Sequence, residues 1–130
     1  MARRLGLGEQ MLKVMLIEDD PTMVSLLTTL LDLEGFMVNA PTNHQIEGLL
    51  CTIANEHPQI ALVDVNLRAG SGIDLVREIR LDPENKDIRI LMSSGMNLKQ
   101  ECLQAGADGF ILKPFMPDEL IQLIHSTVQQ

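Results

Sequence analysis

The sequence predicts an α/β domain: one parallel sheet with helices on both faces. Three observations carry this. Continuous apolar runs recur at Val14-Met15-Leu16-Ile17, Ile60-Ala61-Leu62-Val63, Ile90-Leu91-Met92 and Phe110-Ile111-Leu112, as expected of strands buried on both faces. Segments with helical apolar spacing separate them. Strict alternation with short connections implies parallel strands joined by right-handed crossovers.

The elements follow in order. After the first run, Asp20-Pro21 opens a helix, with Asp as N-cap and Pro at the first helical position. Met23, Leu26, Leu27, Leu30 and Leu31 form its apolar stripe, and Gly35 ends it. Phe36 to Ala40 is a second, weaker strand. Thr42 or Asn43 is the expected cap of the next helix, which buries Ile46, Leu49, Leu50, Ile53 and Ala54 before Pro58. Ile60 to Asp64 is the third strand, followed by a loop over Asn66 to Ser71. A third helix carries Leu75, Val76 and Ile79 and stops before Asp82-Pro83. Ile88 to Met92 is the fourth strand, and Leu98 to Ala105 a short helix ending at Gly106. Gly109 to Leu112 is the fifth strand. Pro117 starts the last helix, with Asp118 and Glu119 suited to its N-terminal dipole and Leu120, Leu123 and Ile124 as its buried face.

A chain of 130 residues suits one domain, expected over residues 13–130 after an N-terminal extension of residues 1–12. With three Phe and no Trp or Tyr, the core must be aliphatic, and Met11, Met15 and Met23 read as core or rim filler. The same scarcity removes the stacking platform of single-strand nucleic-acid readers. The net charge of -8 argues further against direct nucleic-acid binding. Cys51 and Cys102 lack metal or CxxC spacing, and both are expected as buried free thiols of a reducing cytoplasm. No apolar stretch is long enough to span a membrane, and Arg3 and Arg4 precede no signal-peptide core.

Chemistry concentrates where the strands end. The first run leads into Glu18-Asp19-Asp20, the third strand into Asp64, the fourth into Ser93-Ser94 and the fifth into Lys113-Pro114. In a parallel sheet these ends share one edge, the edge where open α/β sheets bind ligands. Alone, Asp64 reads as a turn residue, and Asp20 as a helix cap. Together, gathered carboxylates repel one another and call for a cation, supplied in part by Lys113. Asp19 and Asp64 suit direct Mg²⁺ ligation, Glu18 suits ligation through water, and a carbonyl after Asp64 can add an oxygen. A carboxylate so placed can attack a phosphoryl group. Metal, Lys113 and the Ser94 hydroxyl can then receive the phosphoryl oxygens, and the small Gly95 admits close approach.

Met15-Leu16-Ile17-Glu18-Asp19-Asp20-Pro21, Leu62-Val63-Asp64-Val65-Asn66-Leu67, Met92-Ser93-Ser94-Gly95 and Gly109-Phe110-Ile111-Leu112-Lys113-Pro114-Phe115 stand in order at matching spacing. Through them the chain resembles the receiver domains of two-component response regulators. The resemblance implies a flavodoxin-like (βα)5 doubly wound sheet of order 2-1-3-4-5. It implies that Asp64 accepts the phosphoryl group, that Glu18 and Asp19 bind Mg²⁺ (Mn²⁺ as substitute), and that the Asn66 main-chain carbonyl completes the metal site. It implies further that Ser94 and Phe110 switch, that Lys113 pairs with the phosphate, and that Pro114 follows a cis bond. The implied partners are a sensor histidine kinase or phosphotransfer protein and a downstream output domain or target, with homodimerisation on phosphorylation left open. The implied catalysis is self-phosphorylation from small donors and self-dephosphorylation, in the cytoplasm.

There are departures from the family's pattern. Arg68 stands where the family often has Pro, which implies a more mobile loop over Arg68 to Gly72. Met96 stands where some members carry an acid or amide that places the hydrolytic water, which implies slow dephosphorylation.

Other readings are weaker. A phosphatase or phosphotransferase of the haloacid-dehalogenase kind would want an acid where Asn66 stands. A pseudo-receiver would not need the complete acidic set, and no glycine fingerprint supports a nucleotide-binding domain. Gly70-Ser71-Gly72 lacks the length and lysine of a P-loop and reads as a flexible loop and helix start. His44, His57 and His125 read as surface residues. No output segment follows the last helix, which suits a stand-alone receiver or a piece of a longer protein.

Overall fold

A computed structural model describes residues 11–129. The extension expected over residues 1–12 therefore lies outside the described residues except for Met11 and Leu12. The described chain runs β1 (Lys13–Ile17), α1 (Pro21–Leu33), β2 (Met37–Asn39), α2 (Ile46–Glu56), β3 (Ile60–Asp64), α3 (Gly72–Leu81), β4 (Arg89–Ser94), α4 (Lys99–Ala105), β5 (Gly109–Leu112) and α5 (Pro117–Val128). A single 3-10 turn, Pro83–Asn85, follows α3.

The main sheet has the order β2-β1-β3-β4-β5, all parallel, as expected. Side chains alternate across it because successive residues of a strand face opposite ways. Met15 and Ile17 join Leu49, Ile53, Leu75 and Ile79 on the face of α2 and α3. Val14 and Leu16 join Leu27, Leu31, Leu120 and Ile124 on the face of α1 and α5. Both layers are mainly aliphatic, with Phe36 buried in the second, so the central strands are held by packing on two sides. Truncating Leu31 or Ile79, both wholly buried, would cost about 2–5 kcal/mol each.

Several local expectations need correction. Leu26 is 62% exposed despite its place in the α1 stripe, and Ala54 and Cys51 of α2 are also exposed. α1 and α2 lie on the sheet along narrower stripes than their apolar patterns suggest, whereas Leu75, Val76 and Ile79 of α3 are all buried as expected. Cys102 is buried as expected. Neither Thr42 nor Asn43 caps α2. Asn43 accepts a hydrogen bond from the Gln45 amide at 3.0 Å, an Asx turn, and the extended Gln45 is the N-cap without a side-chain bond. β2 is shorter than expected. β4 runs two residues further than its apolar run, because Ser93 and Ser94 still pair with Asp64 and Leu112. His57 is exposed, at the left-handed C-cap of α2. His125 is half-buried, its ring 5.5 Å from that of Phe36.

Two devices fix the connections. Asp20 caps α1 by accepting from the Thr22 amide at 3.0 Å. Ser71 caps α3 by accepting from Ile73 at 3.1 Å. At the far end of the sheet, Arg80 of α3 donates to the carbonyls of Gly106 and Asn85 and to the Asp108 carboxylate, each at 2.9 Å. Asp108 also accepts from the Ile90 amide at 2.8 Å, so one guanidinium joins α3, the end of α4 and β4.

Candidate functional site

The carboxyl ends of β1, β3, β4 and β5 bring four of the predicted residues together. Glu18 and Asp64 are buried carboxylates, and Ser94 is a wholly buried hydroxyl. Lys113 reaches across from the end of β5. Its Nζ donates to Glu18 Oε1 at 3.0 Å and lies 3.5 Å from Asp64 Oδ1. The other oxygen of Glu18 accepts from the Asp20 amide at 3.1 Å. The Lys113–Pro114 peptide is cis.

The register of β4 and β5 links sensor and lysine through the backbone. The Lys113 amide donates to the Ser94 carbonyl at 2.8 Å, while Ser94 Oγ accepts from the Met96 amide at 3.1 Å. Phe110 is partly buried and packed on the layer that contains α2 and α3, away from the cluster of carboxylates.

The segment after Asp64 is ordered by hydrogen bonds rather than loose. Asn66–Leu67 pairs antiparallel with Gly70–Ser71 in a two-residue ladder, turned at Arg68 and Ala69. Gly70, at φ 146°, supplies the backbone angle that lets the turn close. The segment expected as a loop over Asn66 to Ser71 is thus a short hairpin. Gly72 is dictated by proximity: a Cβ there would collide with the Asp64 carbonyl oxygen. Its amide instead donates to Val65 at 2.7 Å, which seats α3 directly beneath Asp64.

Electrostatics set the character of the site. Burial pushes the Asp64 carboxyl above its ordinary value, and the Glu18 charge pushes it further. Lys113 and the Asn66 amide oppose the rise without cancelling it. For Lys113, burial works against the charged form. The Glu18 hydrogen bond and the charges of Asp64 and Glu18 outweigh it, so its pKa ends above the ordinary lysine value. Two buried carboxylates thus share one ammonium, and the surplus negative charge suits a divalent cation with oxygen preference.

Asp19 behaves differently from the expectation for a ready metal ligand. Its Oδ1 lies 2.5 Å from His44 Nδ1, and its Oδ2 accepts from the Arg68 amide at 2.5 Å. His44 is buried, not a surface residue, and its Nε2 lies 2.8 Å from the Pro41 carbonyl. The cause is topological. β2 lies parallel beside β1, so the chain leaving β2 emerges next to Asp19. Among the described residues, no three His, Cys, Asp or Glu side chains are gathered closely enough to hold a metal ion. A cleft of about 350 Å³ opens beside this cluster, lined by Glu18, Asp19, Pro21, Thr42, His44 and Arg68 among others.

A doubly wound parallel sheet whose carboxyl edge holds acidic residues, a buried hydroxyl and a lysine defines a signalling receiver rather than a nucleotide binder. The family model of the response regulator receiver domain matches residues 14–125, and the chain belongs to this family. That family works in two-component signalling. The chain is 37% identical to the cell cycle transcriptional regulator CtrA of Caulobacter vibrioides over 120 residues, 92% of this chain and 51% of that protein. It is 30% identical to the chemotaxis protein CheY1 of Helicobacter pylori over 112 residues, 84% of this chain and 90% of that one. It therefore spans about half the length of CtrA but most of CheY1. The same fold occurs in the receiver domain of sensor histidine kinase PA1611 from Pseudomonas aeruginosa, at TM-score 0.81 and 22% identity. That match covers 93% of this chain and 100% of that one, and the PA1611 structure has a magnesium ion coordinated in its active site cleft.

Proposed function

We propose that residues 13–130 form a phosphorylation-activated switch in which Asp64 accepts a phosphoryl group. The observation that carries this reading is the position of Lys113, within 3.5 Å of both Glu18 and Asp64 at the carboxyl edge of the sheet. A lysine there neutralises the charge of a phosphoryl group arriving at Asp64. A histidine kinase or phosphotransfer protein is the donor class. An oxygen of Asp64 attacks phosphorus, the P–O bond forms, the P–N bond to the donor imidazole breaks, and the leaving imidazole takes a proton from water.

Glu18, Asp19, Asp64 and the Asn66 carbonyl would hold Mg²⁺, or Mn²⁺ in its place. When bound, the ion supplies positive charge to the phosphoryl oxygens. Ser94 gives up its bond to the Met96 amide and donates its hydroxyl proton to a phosphoryl oxygen. Phe110 then changes rotamer, and the surface around β5 changes with it. The phosphoryl group biases an existing equilibrium between two surfaces. An output domain or a separate target reads the change, in the cytoplasm, and pairing of two phosphorylated copies is one form that reading takes. The chemistry is confined to self-phosphorylation and self-dephosphorylation, with no separate substrate turned over.

Incubation with acetyl phosphate, with and without Mg²⁺, followed by intact mass measurement, tests the reading. One Mg²⁺-dependent, alkali-labile phosphoryl adduct is expected, absent in Asp64→Asn. No adduct, or an adduct retained by Asp64→Asn, would overturn it.

A further inference from the structure

Asp19, like Glu18, has both carboxylate oxygens engaged, but one of its partners is a histidine ring. Both its oxygens have partners at 2.5 Å, the His44 ring on one side and the Arg68 amide on the other. The ring is not an incidental neighbour. It is buried, and its second nitrogen is fixed on the Pro41 carbonyl at 2.8 Å. The result is a site whose three acids divide between two internal partners: Lys113 for Glu18 and Asp64, His44 for Asp19.

We propose that His44 is an intramolecular competitor of the divalent ion for the Asp19 carboxylate. The proposal rests on the metal-dependent reading of this site given above. Metal ligands are ordinarily held in their ligating geometry by outer partners. Here the outer partner stands on the β2–α2 connection, and Asp19 and Glu18 line one cleft with it. An ion that approaches Asp19 along the direction held by the His44 ring displaces that bond. The fraction of molecules with Asp19 free then multiplies the intrinsic metal affinity, as for any ligand that binds a minor state. The β2–α2 connection becomes part of the metal response: an ion that takes Asp19 releases His44, and the segment from Pro41 to Gln45 loses its anchor on β1.

The test uses the full chain. Mg²⁺ is titrated by calorimetry into the wild type, His44→Ala and His44→Gln. His44→Ala is expected to bind Mg²⁺ about three- to tenfold more tightly, with His44→Gln, which keeps an N–H donor, in between. With acetyl phosphate as donor, the Mg²⁺ concentration for half-maximal phosphorylation falls by the same factor, while the rate at saturating Mg²⁺ stays unchanged. A merely structural histidine would not produce that split. In the wild type, the ring resonances of His44 in a ¹H–¹⁵N spectrum should shift as Mg²⁺ saturates the site. That measurement decides the matter if His44→Ala fails to fold. Unchanged or weakened Mg²⁺ affinity in His44→Ala, or His44 ring signals indifferent to saturating Mg²⁺, overturns the competition while leaving the metal site intact. Absence of Mg²⁺ binding in wild type and variant alike overturns the metal site and the competition together.

Discussion

Lys113 Nζ lies 3.0 Å from Glu18, nearer than the 3.5 Å that separates it from Asp64. The lysine is thus bound more closely by Glu18 than by Asp64. Removing it leaves two buried carboxylates without their cation, and breaking a buried pair from one side is costly. Lys113→Met is expected to destabilise the metal-free protein by about 1–3 kcal/mol, less than a fully buried pair because the lysine is partly exposed. Thermal melts should show the loss, and added Mg²⁺ should recover part of it.

Asp64 has the opposite sign. Burial, then the Glu18 charge, raises its pKa. A carboxyl raised in the folded state favours folding below the ordinary carboxylate range, and that contribution is lost as pH rises through the folded value. Above its folded value Asp64 is ionised against its surroundings. Asp64→Asn should therefore raise Tm by on the order of a few degrees at pH 7 without metal. The gain should vanish as pH falls into the ordinary carboxylate range. A melt series across pH checks both halves.

Gly72 is the tightest point of the site's scaffold. Any side chain there meets the Asp64 carbonyl and the Val63 side chain. Gly72→Ala is expected to cost about 1–3 kcal/mol, the usual penalty of overpacking. Because the strain falls on the backbone of Asp64, phosphorylation by acetyl phosphate should slow in the fraction that remains folded. Urea melts and adduct time courses read the two effects separately.

Met96 is 66% exposed beside Ser94 and offers no polar group to an attacking water. Met96→Glu should shorten the lifetime of the phosphorylated form, roughly tenfold at most, since the carboxylate would orient water without sharing a buried base. The decay of the adduct by intact mass measures this. An unchanged lifetime would sink the idea.

Most of the fold was legible because buried parallel strands write themselves as short apolar runs, and the polar residue after each run marks the edge. Glu18, Asp64, Ser94 and Lys113 were readable on that ground alone. His44 was not, because it follows β2, whose run Met37–Asn39 is short and half-exposed. A signal did exist. In a 2-1-3 order the residues just after β2 must emerge beside those just after β1, so a histidine there should have been weighed with Asp19. The two serines of β4 were missed as strand for a simpler reason: apolar periodicity stops where the sheet turns from core to site. The hairpin after Asp64 depends on backbone pairing between Asn66 and Ser71, which no side-chain pattern records.

The guanidinium of Arg80 gives α4 unequal ends. Its C-terminus is tied through the Gly106 carbonyl to α3, whereas at its N-terminus the Lys99 amide donates only to Asn97 of the preceding loop, at 3.4 Å. Ser94 lies four residues before Leu98. A pull on Ser94 would act on α4 as on a lever with its fulcrum at Gly106. The helix would swing most where it is nearest the site and least where Arg80 holds it. Hydrogen exchange along α4 should be graded accordingly, fastest at Lys99 and Gln100 and slowest towards Ala105.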